Sequence, residues 1–385
     1  MGTTNPNHRF ETLAIHAGQG PDPAHGAVMA PIYQTSTFAF EGYNQPGEFD
    51  YTRSGNPTRK ALEDCLAALE GGTRGFAFAT GMAASATLLS MFNAGDHLLV
   101  HDDLYGGTYR LLVSVLAPKG IEVEFVNMRD LDLLRSSIRP NTKGIWTETP
   151  TNPLMNLLDL AAIGEIGKAK RVVTFCDNTF LSPYVQRPLD LGIDVVMHST
   201  TKYLNGHSDV VGGGAIAKDD ELCATIGMLQ NAMGTAQAPF DCFLVLRGIK
   251  TLPVRMEVHN RNALQLAHWL QARPEVTEVL HPGLTTHPQH ALAQKQMTGY
   301  GGTFSFRMTD GDAVRRAISS TKIFTLAESL GGVESLIEQP WTMTHLSMPE
   351  DVRRSVGITE DLIRVSVGIE HIDDLIADLE QAFAA

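Results

Sequence analysis

The sequence predicts an α/β fold: a mostly parallel central sheet covered by helices, followed by a smaller α/β region at the C-terminal end. Three observations carry this reading. Short, continuous apolar runs recur between residues 75 and 217, as expected of strands buried on both faces. Each of the first four runs is followed by a segment with helical spacing, and that alternation builds parallel sheets. The 385 residues are 43% hydrophobic and only 19% charged, enough for a large core and about two or three domains.

In chain order, residues 1 to 57 carry turn formers (GPDPAHG, PIYQTST, YNQPGEF, RSGNP) and little regular pattern. Their aromatic and apolar residues, Ile32, Tyr33, Phe38, Phe40, Phe49 and Tyr51, disfavour disorder. They read as an arm laid on another subunit. At Asn56-Pro57 a helix begins, with Leu62, Leu66 and Leu69 on one face and Gly71-Gly72 closing it. GFAFA then precedes GMAASATLLSMF, HLLVHD precedes YGGTYRLLVSVLA, VEFV precedes DLDLLRSSI, and GIWTET precedes DLAAIGEIGKA. The strands VVTFCDN, DVVMHST and GGGAIAK complete this region, residues 58 to 250. In residues 251 to 385 a helical stretch leads to the strands GGTFSFRM and LIRVSVGIE and the closing helix DDLIADLEQAF.

Net charge is −13 with both signs interspersed, which argues against nucleic acid or an anionic membrane as the main partner. Cys65, Cys176, Cys223 and Cys242 show no CxxC pair and read as reduced thiols in a cytoplasm. The N-terminus has no apolar signal-like stretch, and no apolar run reaches bilayer length.

The most informative stretch is HSTTKYLNGHSDVVGG, residues 198 to 213. Lys202 lies just past an apolar strand, where open α/β sheets keep their ligands. Two readings of it stand: a solvated loop charge, or a desolvated amine kept for covalent chemistry. Four features favour the second. ATGMAAS turns through Gly81 and Met82 into a helix whose free N–H groups can hold a phosphate. Asp177 ends the strand of FCDNTF, where a carboxylate can keep a ring nitrogen protonated. Tyr105, before two glycines in DDLYGGTYR, can stack on a flat ring. Ser199 and Thr201 place hydroxyls beside the lysine. One molecule asks for a phosphate cradle, a ring stacker, an acid for a pyridine nitrogen and a lysine, namely pyridoxal 5′-phosphate.

With those residues in view, the chain resembles the pyridoxal-phosphate-dependent trans-sulfuration family of Cys/Met metabolism. The stretches YTRSGNPTR, ATGMAA, DDLYGGTYR, ETPTNP, DNTF, HSTTKYLNGHSD, LAESLGGVESL and LIRVSVGIE carry the resemblance almost end to end. It implies the type I fold of such enzymes, the aspartate-aminotransferase-like one. It implies that Lys202 bonds the cofactor and later moves protons, that Asp177 pairs with the ring nitrogen, and that Tyr105 stacks on the ring. The Gly81 and Met82 amides, Ser199 and Thr201 would hold the phosphate, with Tyr51 and Arg53 of a neighbouring subunit. That sharing implies a dimer at least, in this family usually a homotetramer. Arg364 would take the substrate α-carboxylate, assisted by Asn152 and Ser329.

The activity implied is α,γ-elimination of cystathionine, with γ-replacement on an activated homoserine as the alternative. The two share an intermediate, so the core motifs do not separate them. Gly107 stands where methionine γ-lyases carry a cysteine, and Glu328 where the family's β-lyases carry an aromatic residue. Glu328, read as a carboxylate in an otherwise apolar wall, would meet the distal ammonium of the substrate, with Asp50 beside Tyr51. No metal is expected, since His198, His207, Asp209 and Asp177 match no ligand spacing.

Overall fold

The computed structural model describes residues 8–346 and 348–385. Seven strands form the first sheet: β1 Arg74–Phe78, β2 His97–His101, β3 Glu122–Val126, β4 Thr142–Glu148, β5 Val173–Asp177, β6 Val195–His198 and β7 Gly213–Ala217. Their spatial order is β1-β7-β6-β5-β4-β2-β3. Pairing is parallel from β6 through β5, β4 and β2 to β3, while β7 runs antiparallel to both its neighbours. β2, β6 and β7 are buried at every position, because helices cover both faces of a mostly parallel sheet.

The helices obey their local signals. Asn56 caps Pro57–Glu70 by accepting from the Thr58 and Arg59 N–H groups, and Gly71 ends it at φ 72°. Leu62, Leu66 and Leu69 of this helix are fully buried. Thr80 caps Gly81–Leu89 by accepting from the Ala83 N–H. The stretch YGGTYRLLVSVLA is helical over Gly106–Leu111, then widens into a π turn at Leu112–Leu116.

The N-terminal segment departs from the irregular reading. Phe10–His16 is a helix, with Leu13 and Ala14 buried. The Lys250 ammonium donates to the Ile15 carbonyl at 3.0 Å, tying the helix to its own chain. A helix this short draws its stability from tertiary packing rather than propensity, and its N-cap, Arg9, makes no capping bond. The sequence therefore lacked a start signal there.

The second sheet holds β8 Val276–Leu280, β9 Thr303–Met308, β10 Thr325–Leu326, β11 Leu336–Glu338 and β12 Leu362–Ser366, in the order β10-β11-β12-β9-β8. Only β9 and β12 stand out in the sequence; β10 and β11 are too short to show a period. Three amphipathic helices, Leu252–Gln271, Gly311–Ser320 and Ile372–Phe383, pack with this sheet. Arg255 of the first is buried and donates to the Tyr203 carbonyl at 2.7 Å and the Gly248 carbonyl at 2.8 Å. It thereby anchors the turn that follows Lys202. The four cysteines are buried and form no disulfide. Among the described residues no helix is long and apolar enough to cross a membrane.

Candidate active site

The C-terminal ends of the parallel strands converge on one cavity of about 320 Å³. Gly81 and Met82 follow β1, Tyr105 follows β2, Glu148 and Asn152 follow β4, Asp177 ends β5, and Ser199, Thr201 and Lys202 follow β6. From the second sheet come Glu328 and Ser329 after β10, and Arg364 on β12. Eleven of the thirteen residues that the sequence singled out line this space; Tyr51 and Arg53 do not. Both are exposed, with Arg53 lying 5.7 Å from the Tyr51 ring and donating to Asn231.

The helix start at Gly81 sits tightly under the lysine loop. A Cβ on Gly81 would lie 2.9 Å from Ser199 Cβ, so glycine alone lets the first turn approach the Ser199 hydroxyl. Asp177 Oδ1 accepts from the Thr179 N–H at 3.0 Å and its hydroxyl at 2.5 Å. Its other oxygen has no hydrogen bond among the described residues. Burial pushes the Asp177 carboxyl up, opposed by the Thr179 bonds and His198. A cationic ring nitrogen against the free oxygen would satisfy that carboxylate. His198 in turn meets buried Glu70 at 2.5 Å.

Arg364 is 2% exposed and held by three acceptors. Its Nη1 reaches Asn152 Oδ1 and Glu338 Oε1, each at 3.0 Å, and Nη2 donates to the Ser329 carbonyl at 2.8 Å. The buried Nε has no hydrogen-bond partner among the described residues. A fixed guanidinium with donors to spare is a receptor for a carboxylate. Arg364 is thus no surface arginine, although it lies on a strand.

Lys202 Nζ donates to Ser329 Oγ at 2.6 Å. Burial, with the nearby Arg364 guanidinium, pushes its amine down to about 8, against the pull of Glu338 and Glu328. This is a desolvated amine and no solvated loop charge.

Charge, shape and donor set agree with an aldehyde-bearing pyridine phosphate, and the relatives speak to the same point. The model of the family described as Cys/Met metabolism PLP-dependent enzyme matches residues 11–384. The chain belongs to that family. Its cofactor is therefore pyridoxal phosphate, and its chemistry is that of trans-sulfuration. The chain is 50% identical over 373 residues to a cystathionine β-lyase of Lactococcus lactis subsp. cremoris (strain MG1363), covering 97% of this chain and 98% of that one. It is 51% identical over 374 residues to a cystathionine γ-synthase of Mycobacterium leprae (strain TN), covering 96% of each. A crystal structure of cystathionine γ-lyase from Lactobacillus plantarum, complexed with L-serine, superposes with a TM-score of 0.96 at 47% identity, covering 98% of this chain and 99% of that one.

Several contributors to this family member's site escaped the sequence reading. Glu148 and Glu338 are buried strand-end carboxylates, and Thr179 braces Asp177. A glutamate inside an apolar strand, as in GIWTET and SLIEQP, was the signal available. One reading needs correction. Glu328 is exposed at the rim rather than set in an apolar wall. It joins Tyr105, Gly107, Arg110, Met343, Thr344 and Leu346 around a second chamber of about 300 Å³ beside the first. The loop after β10 carries it outward, where water already solvates its charge.

Proposed function

We propose that the protein is a cystathionine γ-lyase, converting L-cystathionine and water to L-cysteine, 2-oxobutanoate and ammonia. The observation behind this reading is the pair of adjoining chambers, each with charges suited to one amino-acid head. Lys202, Asn152 and Arg364 line the inner one, and Arg110 and Glu328 the outer one. Cystathionine is a thioether with such a head at each end. The inner set orients the reacting end, and the outer set takes the distal carboxylate and ammonium.

Pyridoxal phosphate, when bound, supplies the sink for the electron pair left as the Cα–H bond breaks. The residues do the rest. The Gly81 and Met82 N–H groups, with the Ser199 and Thr201 hydroxyls, hold its phosphate. Asp177 would keep the ring nitrogen protonated, and Tyr105 would stack on the ring. Arg364, pinned by Asn152, takes the substrate α-carboxylate. The Lys202 amine, pushed down to about 8, removes the proton from Cα, gives it up, and, neutral again, takes one from Cβ as the sulfur leaves from Cγ. Burial holds the Tyr105 phenol above its usual value, so it stays protonated and can donate to the leaving sulfur.

Tyr51 and Arg53, exposed and outside their own chain's cavity, reach the phosphate of a neighbouring subunit in this reading, within a tetramer of such dimers. A second activity is γ-replacement, in which free cysteine occupies the outer chamber and adds at Cγ of an acylated homoserine. The 51% identity to a γ-synthase favours keeping it in view. Product analysis decides. Cysteine and 2-oxobutanoate from cystathionine support the lyase; homocysteine and pyruvate mean β-elimination. Faster formation of cystathionine from O-acyl-homoserine and cysteine means the synthase.

A further inference from the structure

Glu148 ends β4 with its side chain buried, yet it lines the cavity. Its two oxygens serve different loops. Oε2 accepts from the Tyr105 N–H at 2.9 Å, and Oε1 accepts from the Asn152 N–H at 2.9 Å. Tyr105 lines the cavity, where it would meet the cofactor, whereas Asn152 holds Arg364 at 3.0 Å. The Asn152 carbonyl accepts in addition from His345 Nε2 at 3.2 Å.

A second carboxylate stitches the same two loops in the opposite sense. Asp103, two residues before Tyr105, accepts from the Thr151 hydroxyl and from Asn156 Nδ2 at 2.9 Å. Asp103 does not line the cavity. The loops are therefore joined twice, and only the Glu148 joint meets both the cofactor-facing and the substrate-facing residue.

We propose that Glu148 is a positioning residue, a clamp that fixes the Tyr105 ring and the Asn152–Arg364 fork relative to each other. The cofactor and the substrate carboxylate are then placed by one carboxylate. Oxygen at both ends is required: a carboxylate can accept two N–H bonds in this way, but an amide has one accepting oxygen and an NH2 group that cannot accept. The proposal rests on the roles given above to Tyr105 and Asn152.

Glu148→Gln holoprotein tests it with three readouts: the visible circular dichroism of bound pyridoxal phosphate, the Kd of L-alanine from the change in cofactor absorbance, and the Tm. L-Alanine has no leaving group, so the outcome does not depend on which elimination the enzyme performs. The expected result is a dichroic band clearly reduced in size together with an alanine Kd raised about tenfold or more, the loss of one hydrogen bond to a charged group. Asp103→Ala, which removes the one oxygen, Oδ2, that accepts both bonds of the outer stitch, should lower Tm with much smaller changes in both ligand readouts. If Glu148→Gln does not fold, Glu148→Asp, one methylene shorter, should move the same two readouts together. The clamp is rejected if the Glu148 variants lower Tm alone, if one ligand readout moves while the other keeps its wild-type value, or if Asp103→Ala has equal effects.

Discussion

Lys202 Nζ donates to Ser329 Oγ at 2.6 Å, and the carbonyl of the same serine accepts from Arg364 Nη2 at 2.8 Å. Ser329 does both from a left-handed backbone, φ 101°. A non-glycine residue there is strained, and such strain gathers at functional sites. The next residue but one, Gly331, packs under the lysine turn: its added Cβ would lie 2.6 Å from the Tyr203 nitrogen. The serine thus joins the Lys202 amine to the Arg364 guanidinium, which in the function proposed here move the proton and take the substrate carboxylate. Ser329→Ala should keep pyridoxal phosphate but lower kcat about tenfold, the worth of one hydrogen bond to a charged or reacting group. Steady-state kinetics with absorbance-matched holoprotein checks this; an unchanged kcat would remove the serine from catalysis.

The depressed amine of Lys202 predicts a pH profile for cofactor capture. The neutral amine attacks the aldehyde, and a lowered value makes the neutral form dominant above about 8 rather than above 10.5. The second-order rate of reconstituting apoprotein with pyridoxal phosphate should rise with pH and level off above about 8. Stopped-flow absorbance would follow it, and Lys202→Ala should show no covalent capture by borohydride. A rate still climbing tenfold per unit at pH 9.5 would mean that the amine is an ordinary lysine.

Asp177→Asn should bind the cofactor yet lose roughly 10²-fold or more in kcat, since an amide cannot hold the ring nitrogen protonated. The absorbance spectrum and kcat are read together. Near-normal turnover would reduce Asp177 to a strand cap held by Thr179.

Glu328→Val should raise KM for cystathionine and leave kcat nearly intact. Because Glu328 is exposed, the change should be modest, about twofold to fivefold, as for solvent-screened ion pairs. Elimination from homocysteine, which has no distal ammonium, should be spared, so the ratio of the two kcat/KM values moves. An unchanged ratio would remove Glu328 from substrate selection.

Arg53→Ala should raise the Kd of pyridoxal phosphate by about tenfold or more by removing a charged phosphate donor. Mixing it with Lys202→Ala protein is the sharper measurement. If sites are shared, hybrid dimers at limiting cofactor restore one intact site from one inactive and one weakly binding parent. Truncating residues 1 to 57 would not serve, because the helix Phe10–His16 belongs to the core of its own chain. Failure of complementation, with an undisturbed Kd, would confine the site to a single chain.

The sequence by itself determined the α/β class, the order of the buried strands and the family, because a strand buried on both faces and a phosphate-binding turn are local patterns. Lys202, Asp177, Tyr105 and Gly81 stood out because each follows an apolar strand within a few residues. What tertiary structure decided was everything that depends on contacts across long separations. Glu338, on β11 of the second sheet, became the counter-ion of Arg364 only when β11 paired with β12. Glu148 became a bridge only when the loops after β2 and β4 came side by side. Glu328 moved from an expected apolar wall to a solvated rim, because exposure is a property of the assembled surface and no local residue pattern encodes it.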